Sequence, residues 1–129
     1  MLLIHFSNIE NLKIINPDFQ GSGIASQENK YGIPEIKRSY YYRYGTQYEQ
    51  IVENNSKYSY TIEFIEENLL YDLSKNKENL VSDSIEKNQG IYNSDIVLKN
   101  CKENGYLGFY NSQSVLPDVI CLFYSQKIK

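Results

Sequence analysis

Apolar and polar positions along the chain form several short stretches of strand character and two at helical spacing. Residues 2–6, Leu-Leu-Ile-His-Phe, are an apolar run of strand length and predict a short buried strand. Ser7-Asn8-Ile9-Glu10 has the Ser-x-x-Glu form of a capping box and opens a short helix or turn through Lys13. Asn16-Pro17-Asp18 is a turn signal. Gln20-Gly21-Ser22-Gly23 reads as a flexible loop. Ser26-Gln27-Glu28-Asn29-Lys30 has room for one helical turn before Gly32 and Pro34 interrupt it. Residues 38–44, Arg-Ser-Tyr-Tyr-Tyr-Arg-Tyr, favour a pleated surface and end at Gly45.

The second half repeats this alternation. After a polar turn at Glu53-Asn54-Asn55-Ser56, residues 57–64 follow period 2, with Tyr58, Tyr60, Ile62 and Phe64 on one face. Residues 69–73 are a short apolar piece entering a polar loop. Leu80, Val81, Ser84 and Ile85 stand at helical spacing, with Gly90 placed to cap that helix. Ser94-Asp95 begins a second helix with Ile96, Val97 and Cys101 on one face, ending at Gly105. Residues 106–110 predict a strand. Residues 119–124 form the most continuous apolar run, which predicts a central strand. With no internal repeat and no linker, the order is that of a single α+β domain over residues 1–129.

Composition narrows the function classes. The net charge is −3 over 129 residues, so there is no broad basic surface for sequence-independent nucleic-acid binding. Two cysteines and one histidine are too few for a disulfide framework or a Cys/His-rich metal site. There is no 18-residue apolar stretch and no signal-peptide pattern, so a soluble, intracellular (cytoplasmic) protein is expected. Thirteen tyrosines and no tryptophan make tyrosine the dominant ring; an AT-rich genome would leave the same bias.

Four places carry candidate chemistry. His5 shares a strand face with Leu3, while Ile4 and Phe6 take the other. A lone histidine in such a run is ordinarily a buried, hydrogen-bonded residue. The tyrosine strand puts Tyr40, Tyr42 and Tyr44 on one side and Tyr41 and Arg43 on the other. It is either strand packing or a stacking platform for a flat ring. Gly21-Ser22-Gly23 has backbone amides for a phosphate but lacks the lysine of a P-loop. Asp118, after Pro117 at the mouth of the last apolar strand, is either a carboxylate held near a cleft or a solvated turn residue. Gln113, in the preceding loop, is polar but does not ionise.

Taken together, several of these motifs resemble a known family. They are His-x-Ser on the first strand, Asn-Pro-Asp-Phe-x-Gly-Ser-Gly, Ser-Tyr-Tyr-Tyr, Tyr-Asp-Leu, and Gly-Tyr-x-Gly-Phe-Tyr-Asn before a final apolar strand. Their order resembles the ADP-ribosyltransferase fold, in the small versions found in phage proteins, toxin-like modules and some anti-CRISPR proteins. The resemblance runs from about Leu2 to Phe123. It implies a compact split β-sheet core with short flanking helices.

The resemblance also implies an activity. NAD would be the substrate and ADP-ribose the group moved to a macromolecular acceptor, with protein favoured and nucleic acid and membrane not expected. One version is an effector acting on a host protein or defence complex. In the branch with a His-Tyr-Glu triad, His5 matches the histidine that holds the nicotinamide-side ribose. Phe6 matches the residue whose backbone holds the carboxamide, and Ser7 completes the motif. Tyr40, Tyr41 and Tyr42 all lie in the motif that matches the tyrosine stacking on nicotinamide, with Tyr40 and Tyr42 favoured as a pair by alternation. The family glutamate is matched in position by Asp118, with Gln113 as the other candidate. Neither is Glu, so a catalytically inactive binding or inhibitor module with a tyrosine-rich face is the alternative implied.

Overall fold

A computed structural model describes residues 1–18, 37–46, 56–81, 94–114 and 117–129. The Gly21-Ser22-Gly23 loop, the turn at Ser26 to Lys30, Gly32, Pro34, the turn residues Glu53 to Asn55 and most of the helix expected after Leu80 lie outside the described residues.

The described elements are β1 (Leu2–Ser7), β2 (Ile14–Ile15), β3 (Ser39–Arg43), β4 (Tyr58–Glu63), a 3-10 turn (Glu67–Leu69), β5 (Leu70–Asp72), α1 (Ser94–Glu103), β6 (Gly108–Tyr110), β7 (Val119–Leu122) and β8 (Gln126–Lys127). The protein is a mixed α+β fold, mostly strands. Among the described residues, no helix is long and apolar enough to cross a membrane, and no group of His, Cys, Asp and Glu is arranged to hold a metal ion.

Six strands form one sheet in the order β4-β1-β3-β7-β6-β5, and β2 pairs with β8 in a second, two-stranded sheet. β5 and β6 are parallel; the other pairs are antiparallel. β7 lies inside the sheet, between β3 and β6, as its unbroken apolar run requires.

Register sorts the side chains into two cores, because residues directly opposite each other share a face. Leu3, Ile62, Tyr41, Ile120, Leu122 and Leu70 fall on one face. There they pack with Ile15 and Phe64, while Ile128 from beside β8 closes over them. Tyr71, Phe109 and Cys121 fall on the other face. There Tyr71, Leu73, Leu80, Val81 and Phe123 bury Val97, Leu98 and Cys101 of α1, with Phe109 packed alongside. Burial pushes the Cys101 thiol up to about 12, so it is an inert part of this core.

Local chemistry explains the boundaries. α1 ends in a Schellman motif: Tyr106 N–H donates to the Cys101 carbonyl and Gly105 N–H to that of Lys102. Gly105 holds φ +85°, a conformation that glycine adopts without penalty. The expected capping box at Ser7 is instead a serine turn. The Ser7 hydroxyl accepts from Ile9 N–H at 3.1 Å, and Asn11 takes φ 58°, which turns the chain before a helix can start.

Candidate functional site

β1 joins two parts of the sheet unequally. Against β4 its register runs its whole length, from Leu2 opposite Glu63 to Ser7 opposite Tyr58. Against β3 it pairs only through Leu3 opposite Arg43 and Ile4 opposite Tyr42. β3, in turn, stays paired with β7 down to Ser39 opposite Leu122. The sheet therefore divides between β1 and β3 beyond Ile4, with β4-β1 on one side and β3-β7-β6-β5 on the other.

His5 stands at the point of division. Its Nδ1 lies 2.7 Å from the Tyr40 carbonyl. A carbonyl only accepts, so Nδ1 carries the proton, and in the neutral ring Nε2 presents a lone pair. Burial lowers the His5 pKa, and the bond to Tyr40 opposes that only in part, so the ring is held neutral. The Tyr44 amide bonds the Leu2 carbonyl, which fixes the backbone groups of Leu2, Ile4 and Phe6 toward β3. The next rung would join Phe6 N–H to the Tyr40 carbonyl. That rung is missing from the register, and the imidazole occupies the carbonyl instead.

Aromatic rings surround this opening on both faces. Tyr60 is opposite His5 across β4; its hydroxyl donates to the Ile9 carbonyl at 2.5 Å and accepts from Leu12 N–H, tying the chain after β1 to the sheet. Tyr41 packs against the imidazole with ring centroids 5.3 Å apart and is fully buried. Tyr40 and Tyr42 lie on the other face from Tyr41. Phe6 meets Tyr42 edge-on at 5.8 Å, and the Tyr40 hydroxyl accepts from Arg38 Nε at 2.7 Å. The tyrosine on the His5 side is thus Tyr41, while Tyr40 and Tyr42 lie on the other face. Strand alternation alone does not reveal this; it takes the β1–β3 pairing.

The carboxylate candidate is held elsewhere on the sheet. Asp118 precedes β7, and its carbonyl accepts from Arg43 N–H at 3.0 Å. Arg43 Nε lies 3.8 Å from Asp118 Oδ1, and the guanidinium sits over the Tyr110 ring at 5.5 Å. Asp118 is two strands across and two residues along from His5. Strand spacing makes that about 12 Å between Cα atoms, so the two side chains do not touch. Gln113 lies farther off. Its amide bonds the Ser74 hydroxyl in the loop after β5, four strands from β1. Arg43, the neutralising partner of Asp118, gave no signal in the sequence beyond its place in the tyrosine strand.

No family model matches the chain, and no curated protein or solved structure matches it.

Proposed function

We propose that this chain is a mono-ADP-ribosyltransferase that moves ADP-ribose from NAD to a macromolecular acceptor, in the first instance a protein. The observation that carries the reading is the opening between β1 and β3. The Phe6 amide leaves the ladder there beside a neutral His5, with His5 and Tyr41 on one face of the sheet and Phe6 and Tyr42 on the other. A nicotinamide ring needs a flat apolar wall and a backbone group for its carboxamide. A ribose hydroxyl needs an acceptor such as Nε2. Phe6 and Tyr42 are the rings, Phe6 N–H the backbone group and His5 Nε2 the acceptor proposed for those demands.

The chemistry follows from those contacts. The bond between ribose C1′ and the nicotinamide nitrogen breaks with its electron pair leaving on neutral nicotinamide. Positive charge develops on the sugar. A nucleophilic side chain of the acceptor then bonds to C1′ and gives up its proton to a base or to water. Fixing ring and ribose together supplies orientation, and a nearby carboxylate supplies charge stabilisation. Asp118, about 12 Å from His5 between Cα atoms, is the carboxylate proposed for that part, which requires the ribose to lie between the two residues. An effector acting on a host protein or defence complex is the setting that the motif resemblance suggests.

The test is incubation with radiolabelled NAD and a cell lysate, comparing the native protein with His5→Ala. A labelled protein band that is lost in His5→Ala supports transfer. Nicotinamide release without a labelled band identifies hydrolysis instead.

One observation favours a second reading. Arg43 already engages the Asp118 carboxylate, as it would in a non-catalytic binding or inhibitor module built on the same scaffold. In that case NAD is not consumed, and pull-down through the face that carries the exposed Tyr44 recovers a partner.

A further inference from the structure

A cavity of about 310 Å³ lies where β3 begins and β7 ends, between residues 16–18 and the last turn of α1. Three features give it the chemistry of an anion site. Two lysines, Lys37 and Lys102, and one carboxylate, Asp18, line it, so the lining carries net positive charge in a chain whose net charge is −3. Lys102 Nζ is held over the Tyr124 ring at 5.0 Å, which places the ammonium without using its three N–H donors. The Asn16 side-chain oxygen accepts from Asp18 N–H at 3.0 Å, which assigns the amide orientation and leaves its NH₂ group as a donor. Buried Pro17 and Phe123 supply the apolar floor.

Position connects this cavity to the opening. Lys37 is three residues before Tyr40, so chain reach puts their Cα atoms no more than about 11 Å apart. Phe123 directly follows Leu122, the partner of Ser39. The cavity thus adjoins the end of β3 at which the sheet divides.

We infer that this cavity is the subsite for the diphosphate of the dinucleotide, with Lys37 and Lys102 as its cationic contacts. The inference rests on the NAD reading above, but its ligand chemistry is tested separately with ADP, which lacks the nicotinamide and its ribose. Isothermal titration of the full chain with ADP at low salt is compared for the native protein, Lys37→Glu, Lys102→Glu and His5→Ala, each first checked for an unchanged melting temperature. Lys102→Met serves as a second variant that keeps the stem against Tyr124 while removing the charge.

The expected result is ADP binding that weakens about tenfold or more in each lysine variant, the size of one lost charge-assisted hydrogen bond, and is unchanged in His5→Ala. Absence of ADP binding, or equal affinity in native protein and lysine variants, overturns the subsite. The two proposals fail separately. Lysine-dependent ADP binding without NAD consumption retains the subsite and removes the transferase. NAD consumption with an unchanged KM in both lysine variants retains the transferase and removes the subsite.

Discussion

The His5 imidazole takes the Tyr40 carbonyl at 2.7 Å, at the place where the Phe6 amide would otherwise continue the β1–β3 ladder. One side chain thereby ends a strand pairing without ending either strand, since β1 continues against β4 and β3 against β7. Hydrogen exchange reads this directly. Along β1, the Ile4 amide is expected to be protected through β3 and the His5 and Ser7 amides through β4. The Phe6 amide is expected to exchange markedly faster than its neighbours. Equal protection of Phe6 and Ile4 means that the ladder continues and the sheet is not divided.

The same histidine makes stability depend on pH. Burial depresses its folded pKa below the ordinary value of 6.5, so the unfolded chain binds the proton more readily. Stability is therefore fully present above about pH 6.5 and falls as pH drops through the folded pKa. As this is the sole histidine, the melting temperature is expected to decline from pH 7.5 toward pH 5 in the native protein. His5→Gln, which does not titrate, flattens that part of the profile. A native profile that is level or rises over this range contradicts the assignment.

The close approach of β6 and β7 gives a sharper stability test. A Cβ on Gly108 would lie 2.0 Å from the Cys121 carbonyl oxygen and 2.8 Å from Leu122 Cδ2. The first of these neighbours is backbone in a central strand, and it cannot swing away. Gly108→Ala is expected to cost about 3 kcal/mol or more in urea unfolding, the upper end of the ordinary penalty for overpacking. A loss below about 1 kcal/mol means that the two strands have room to separate.

Much of the fold was legible because its physics is local. Alternation in residues 57–64 places Ile62 and Phe64 in one core, and the apolar run from Val119 marks an interior strand. Gly105 ends α1 as read, because a positive φ after the last helical turn favours glycine. Strands β2 and β8 were not legible: two residues each carry no period, and Ile15 is buried through packing with Leu3, Tyr41, Ile62 and Phe64 while its strand partner Gln126 lies far away in sequence. The site follows the same division. His5 stands out as a single histidine in an apolar run. Its tyrosine neighbour and the Arg43–Asp118 pair depend on register between strands some 35 to 75 residues apart, which no local pattern encodes.

Asp118 separates the catalytic reading from the binding-module reading. Its ion pair with Arg43 is about one-third exposed on both sides, so solvent screening limits its value to under about 1 kcal/mol of stability. Removing the charge should therefore leave the fold intact, and any functional loss must come from the site. With transferase chemistry, Asp118→Asn is expected to lower kcat by about a hundredfold or more, leave the KM for NAD within about twofold, and leave the melting temperature unchanged. Asp118→Glu, which restores the charge on a longer arm, recovers activity. Full activity in Asp118→Asn takes this carboxylate out of the machinery. Absence of NAD consumption in the native chain itself makes the Arg43–Asp118 pair a structural tie and favours the binding module.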